Sequence, residues 1–599
     1  MSSGQEIAIS VYEGPNLIVP FAAAIAEFSN PYLTPLATDR VQTLLGEIFN
    51  LSKPAPIALV GEEIDFPSLA AALALSWQET DQPQGLSSEV SQNENGLALI
   101  AVGYFNAAKG RFAVRSGVEI ANAVFARAAD PSADISRVTP LFGQLGRLAH
   151  TYRFGTGSSA YIMAAKTCGI PVYELAPGTN ALSYGQGARS VRYSEATNEG
   201  DSVTGYKLAQ SKADSNQLIK RIGFPGVEHE VVRNLAAARR TAAKLGAPLV
   251  VKPLDRNGAM GVSVGIENNA ELELAFATAS RLSQSGSVLV ERFVPGDEYR
   301  LTVFGGEMLR ASRLVPASIT GDGEHSIAEI IATDNIRRRK AKAGGDYVYE
   351  LSIDDRMIAL LRKQGFTPQD RPPQGKSLRL SGTSNLKTGG HREDVTDIIH
   401  HDNVAMAEAI AQNFRLDAAG VDFITPDITK SWTENPCAII EVNPNPGTGN
   451  DMALVVMRTK FPRAEDGRIP SILVLDGSDK LADQITKHLS AGGKCIGRTN
   501  ATETFLAGQR RFAGSEELPA RILGLLLDAM CEALVVNCTP LEIAKYGLPH
   551  TKYDLAIIPE REELTSEIHD LLTNNATKCI VPALPGLLDE KLISAIGAL

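Results

Sequence analysis

Cysteine and histidine are scarce in this chain. Its six cysteines, Cys168, Cys437, Cys495, Cys531, Cys538 and Cys579, lie far apart and most sit in apolar surroundings. That spacing excludes a zinc ribbon or finger and predicts reduced core thiols instead of a disulfide framework. The nine histidines form no ligand cluster, and the pair His400-His401 falls at a predicted helix start, where a solvated reading is favoured. Long apolar runs are missing too: no window approaches the ~18 unbroken apolar residues of a membrane span. The opening Met1-Ser-Ser-Gly-Gln-Glu6 lacks the basic-then-apolar order of a secretion signal. The expectation is a cytoplasmic protein with no membrane partner. Positive charge is the last shortage. With 58 basic and 69 acidic residues the formal charge is −11, which argues against a general nucleic-acid binder and suits a cationic ligand.

A length of 599 residues predicts three or four domains, at about 150 residues each. The first 165 residues mix apolar strands such as Ala98 to Val102 with predicted helices, and the polar stretch from Gln78 to Gly96 reads as a mobile loop. From 166 to 465, helical segments alternate with Val- and Ile-rich runs such as Leu249 to Lys252 and Ser287 to Glu291. From 466 to 599, short runs (Ile472 to Leu475, Ala533 to Val536, Leu555 to Ile558) alternate with helices and predict a small α/β unit. The cluster Arg337 to Lys340 reads as a solvated helix face, with an anion clamp as the alternative.

The segment from Cys437 to Gly447 ends an apolar run with Glu441 and Asn443, and a second run, Ala418 to Thr425, carries Asp422. Alternate strand residues share a face, so Glu441 and Asn443 can grip one ion together. Three hard oxygen ligands suit Mg²⁺ with a nucleotide phosphate better than zinc; the competing reading is a strand ending in a solvated carboxylate. Lys252 closes a strand ahead of a turn rich in small residues that includes Gly261, a loop able to lie over phosphates. In Val290 to Arg300 a strand runs into a Pro-Gly turn flanked by acids. There Glu291 and the backbone of Arg292 to Val294 can read an adenine edge, and Glu298 can accept from ribose hydroxyls. Acids in solvent around a plain turn are the alternative.

The order Lys212, Lys252 with its loop, Glu291 to Arg300, Asp422, then Glu441-Val-Asn443 resembles the ATP-grasp carboxylate-amine ligases. Val315 to Gly323, Leu378 to Gly390, Asp394 to Asp397, Gly14-Pro-Asn16 and Tyr184 to Gly187 are similar to the cyanophycin synthetase family, so the resemblance covers essentially the whole chain. It implies an α/β multidomain protein: an N-terminal α/β polymer-binding domain (1–165), a central ATP-grasp catalytic domain (166–465) and a small, degenerate, inactive Mur-ligase-like α/β domain (466–599). It implies ATP and Mg²⁺ as cofactors. Lys212, Lys252 and Gly261 would hold the phosphates, Glu291, Val294 and Glu298 the adenosine, and Asp422, Glu441 and Asn443 the Mg²⁺ ions. Arg300, with Lys252, would neutralise the transferring phosphoryl group, and Ser202, Arg379 and Asn385 would meet the substrate.

Two departures from the family pattern carry weight. The phosphate loop reads Arg256-Asn-Gly-Ala-Met-Gly261, with Gly258 where the family has a histidine that is a candidate base, so the base is left open. The family's second phosphate loop corresponds to Val474-Leu-Asp-Gly-Ser-Asp-Lys-Leu481, where Asp476 and Asp479 would repel an anion and Leu481 cannot replace a hydroxyl ligand of Mg²⁺. With one intact site, the resemblance points to the shortened type that polymerises preformed β-aspartyl-arginine dipeptide into cyanophycin. It also implies a homo-oligomer, a dimer being favoured, with the acidic N-terminal region holding the arginine-rich polymer. An aspartate-adding ligase that needs an arginine-adding partner, and a non-catalytic polymer-binding protein, stay open as alternatives.

Overall fold

The computed structural model describes residues 7–49, 57, 59–79, 85–151, 153–176, 178–256, 260–343, 348–384, 386–475, 479–512, 516–558, 564–581 and 587–599. Two compact units form: residues 193–456, and residues 1–192 together with 457–599.

Unit 193–456 is built on two antiparallel sheets. The first has four strands in the order His229–Val232, Val288–Arg292, Leu249–Pro253, Ser263–Ile266. The helices Leu235–Leu245 and Asn269–Leu282 cover it and share its core, Ala238, Val251, Ala275, Ala279 and Val290 among others. Asn234 and Asn268 begin these helices by accepting from the N–H groups of Ala237 and Glu271, which satisfies donors that the first turn leaves unpaired. The second sheet has five strands in the order His391–Asp394, Glu307–Val315, Asp297–Phe304, Ala418–Thr425, Ala438–Asn443. The helix His401–Phe414 packs on one face through Met406, Ile410 and Phe414, leaving the other face for polar work. Only Phe293 to Gly296 separate the two sheets in sequence. Gly296 has φ +136°, and a Cβ there would stand 2.4 Å from the Thr425 carbonyl carbon, so the turn depends on glycine. A smaller lobe adds the pair Ser318–Thr320 and Ser377–Arg379 with helices Ile327–Ala343 and Asp355–Lys363 around Ile327, Leu361 and Leu378.

The other unit holds an antiparallel sheet in the order Ala8–Tyr12, Ala23–Phe28, Ala98–Gly103, Ser88–Gln92. Helices Phe66–Glu79 and Ala107–Ala129 pack together over it, with Phe28, Tyr32, Phe66 and Phe125 in mutual ring contact. The strand Ser88–Gln92 corrects the expectation of a loop from Gln78 to Gly96. All five of its residues are exposed, so it lacks the apolar alternation that marks a strand and forms by pairing along one edge of Ala98–Gly103.

The same unit carries a seven-stranded sheet whose parallel strands run in the order Ile496–Thr499, Ala533–Asn537, Ser471–Val474, Tyr553–Ile557, Ala576–Ile580. The apolar runs foreseen there are these strands. Among the described residues all six cysteines are free, with only Cys531 and Cys538 buried, and no helix is long and apolar enough to cross a membrane. Arg338 departs from the solvated-face expectation: it is buried, donating to Asp334 and to the Tyr349 carbonyl.

Candidate active site

The register of the five-stranded sheet builds the site. Arg300 stands directly opposite Asp422, and Asp422 directly opposite Glu441, so three charged side chains form one row across three strands. Asn443 and Glu298 lie two residues along their own strands and therefore on the same face. Gly420, opposite Asn443, leaves room for the arginine: a Cβ there would sit 2.9 Å from Arg300 Cδ.

Arg300 grips Asp422 with both forks of its guanidinium, through Nε to Oδ1 and through Nη2 to Oδ2 at 2.9 Å. Asn443 Nδ2 donates to the same carboxylate at 3.0 Å. Lys212 Nζ lies 3.4 Å from Glu441 Oε1 and donates to the Arg256 carbonyl at 3.0 Å, which joins the start of helix Lys212–Arg221 to the chain entering the phosphate loop. On the four-stranded sheet, Glu291 faces Val250, two residues along the strand from Lys252 and so on the same face, and the Lys252 ammonium meets the Glu291 carboxylate at 2.8 Å.

The electrostatics favour a cation. Burial, then the Asp422 charge, pushes the Glu298 carboxyl up to about 7, against a hydrogen bond from Ser384 and the pull of Arg300. Burial raises the Asp422 carboxyl as well, with Arg300 opposing it. Glu298, Asp422 and Glu441 thus crowd around a single guanidinium, and a divalent ion would relieve that crowding. Their oxygens with the Asn443 amide are a hard donor set on one face, which fits Mg²⁺.

The other residues expected at the site are dispersed. Val294 lies in the link between the sheets and Gly261, with φ +75°, just before Ser263–Ile266. Ser202 caps the helix Val203–Gln210, its hydroxyl accepting from the Gly205 N–H at 3.3 Å. Arg379, exposed, ends the strand Ser377–Arg379, and its backbone bonds the Gln364 side chain. Asn385, Gly258 and Asp476 lie outside the described residues. Sequence reasoning missed the Ser384 bond to Glu298 and the Gly420 allowance for Arg300. Serine within the Leu378 to Gly390 motif and glycine in an otherwise apolar strand were the available signals.

A second polar cluster sits at the carboxyl ends of the parallel strands, where an α/β sheet usually presents its ligand site. Asp479, first residue of helix Asp479–Ala491, accepts from Asn500 Nδ2 with both oxygens at 2.8 Å and from Asn537 Nδ2 at 3.1 Å. Arg498 pairs with Asp483, and Leu481 is buried in the core with Val474 and Val535.

Residues 218–324 match the family described as D-ala D-ala ligase C-terminus. Together with the two sheets and the row of charges on the five-stranded one, this match marks a region similar to the ATP-grasp ligases. The chain is a homologue of the cyanophycin synthetases: it is 28% identical over 500 residues to that of Geminocystis herdmanii, covering 81% of this chain and 57% of the relative. It is 27% identical over 476 residues to that of Trichormus variabilis, covering 77% of this chain and 52% of the relative. The glutathione biosynthesis bifunctional protein GshAB of Streptococcus thermophilus is 34% identical over 238 residues, 37% of this chain and 31% of that one. The chain thus spans about half the length of the cyanophycin synthetases it matches.

Proposed function

We propose that this chain uses ATP to polymerise β-aspartyl-arginine dipeptides into cyanophycin. The row Arg300, Asp422, Glu441 with Lys212 and Lys252 nearby carries the reading, because phosphoryl transfer is catalysed almost wholly by positioning and charge. Lys212 and Lys252 hold the phosphates and exchange their present carboxylate partners for them. Arg300 stabilises charge on the phosphoryl group as it passes to the terminal aspartate carboxylate of the growing chain, forming an acyl phosphate and ADP. The α-amino group of the next dipeptide then attacks the acyl carbon, forms the amide and releases phosphate. Asp422, Glu441 and Asn443 would hold Mg²⁺, which when bound neutralises the phosphates.

The dipeptide is favoured over free amino acids because arginine addition needs a second ATP site. At the parallel sheet, the Asp479 carboxylate already takes the amides of Asn500 and Asn537, and a carboxylate there repels phosphate. The 466–599 segment then serves as a Mur-ligase-like remnant, and residues 1–165 as the polymer-holding part.

The test incubates purified protein with Mg-ATP and a short primer, adding either β-aspartyl-arginine or free aspartate plus arginine, and measures phosphate release and polymer length. Extension with the dipeptide alone is expected. Extension with free aspartate would instead favour an aspartate-adding ligase, and no turnover a non-catalytic binder.

A further inference from the structure

Within unit 193–456 a cleft of ≈560 Å³ opens between helix Asn269–Leu282, helix Asp355–Lys363 and the loop at Ser381–Thr383. Its charge is lopsided. Arg281, Arg356, Lys363 and Lys387 line it against two acids, Glu350 and Asp354. Both acids are already engaged: Glu350 pairs with Arg339 at 2.7 Å, and Asp354 caps its helix by accepting from the Met357 N–H at 2.9 Å. Arg281, Arg356 and Lys363, by contrast, have no hydrogen-bond or ion-pair partner among the described residues. Three exposed cations without a protein partner line one cleft, in a chain whose net charge is −11, and together they suit an anion. The cleft also adjoins the catalytic face, since the loop that forms its wall continues to Ser384, which hydrogen-bonds Glu298.

The chemistry of the substrate proposed above supplies that anion, and the inference rests on that reading. Joining the α-amine of arginine to the side-chain carboxyl of aspartate consumes the amine but leaves the arginine α-carboxylate free. Each unit of the polymer therefore displays a carboxylate that plain polyaspartate side chains or agmatine conjugates do not offer in that place. We propose that the cleft binds the free α-carboxylate of side-chain arginines at the growing end through Arg281, Arg356 and Lys363, and so selects arginine-bearing chains. Arginine in particular can offer two parallel N–H donors to a carboxylate.

Two primers test this: one of β-aspartyl-arginine units, and one in which agmatine replaces arginine, removing only the carboxylate. Their binding to the full-length protein is measured by calorimetry without ATP, and their extension by phosphate release. The arginine primer is expected to bind ~10-fold or more tighter, as befits loss of a charge-assisted hydrogen bond. The doubly substituted Arg356→Gln, Lys363→Gln protein is expected to raise KM for the arginine primer by a similar factor, leave KM for ATP and kcat unchanged, and no longer distinguish the two primers. Equal binding of both primers to the unaltered protein, or an equal loss for both in the variant, would overturn the proposal. If the arginine primer binds selectively but is never extended, the cleft assignment stands and the polymerase reading falls.

Discussion

On one face of the five-stranded sheet, Glu298, Asp422 and Glu441 share one guanidinium and a lysine, whereas at the carboxyl ends of the parallel strands one carboxylate, Asp479, is shared by two amides. Both places gather acids and carboxamides where strands end or pair, and by residue type alone they look alike. Their balance differs. The first has more negative charge than its own partners neutralise, so it favours a cation. The second satisfies its carboxylate internally, with two carboxamides and the Arg498 guanidinium 3.8 Å away, so a ligand would have to displace bonds already made. A cluster of polar residues marks a site only when its internal accounting is left open.

The largest effects should come from closing the first site's account. Glu441→Gln removes a metal charge at a cleft without touching the core, and is expected to lower phosphate release by ~10³-fold, the scale of losing one preorganised electrostatic group, with an unchanged melting profile. Arg300→Gln goes further. It strips the guanidinium from buried Asp422, and truncating one partner of a buried pair costs ~3–5 kcal/mol, so it is expected to lower both activity and the melting temperature. If Glu441→Gln retained near-native turnover, the contrast between the two clusters would lose its functional meaning.

Some of this contrast can be read in the sequence. Glu441, Asn443 and Asp422 stand on apolar runs whose alternation is local, and the strands Ala418–Thr425 and Ala438–Asn443 lie where the pattern places them. The pairing of those strands with Asp297–Phe304, which sets Arg300 against Asp422, is a non-local register that no single run encodes. For the same reason the exposed strand Ser88–Gln92, the burial of Arg338 and the Lys252 to Glu291 ion pair escape a reading that follows the chain one segment at a time. Asp479 was legible as an obstacle to phosphate, but its amide partners lie 21 and 58 positions further on.

The amino ends of the same parallel strands offer a third case, a titratable group closed off from water. His550 is buried, with Nδ1 3.3 Å from Gln186 Nε2, Nε2 3.3 Å from the Ser471 hydroxyl and its ring edge-on to Tyr553. Burial, helped by repulsion from Arg468, lowers its pKa to about 3. The folded form therefore keeps His550 neutral while the unfolded chain protonates it at ~6.5. Stability should be present in full above that pH and fall with acidification between about 6.5 and about 3, by at most ~1.4 kcal/mol per pH unit. His550→Gln should flatten that slope in melts taken across the range, and an unchanged slope would mean that other groups set it.

The smallest expected effect falls on Asp479 and bears most directly on the comparison. Asp479→Ala frees Asn500 and Asn537 from a carboxylate that is itself half-exposed, so the loss should be near ~1 kcal/mol, the net worth of such hydrogen bonds. Because the site is closed on itself, ATP should not protect this part of the chain from melting or proteolysis, either in the native protein or in a Glu441→Gln background where the other site is disabled. Asp479→Gly, which also removes the repelling charge and restores room for a phosphate, sharpens the point: if opening the account were sufficient, the variant would gain ATP-dependent protection in this segment. Leu481 is buried in the core and offers no hydroxyl to a metal, which argues that it will not.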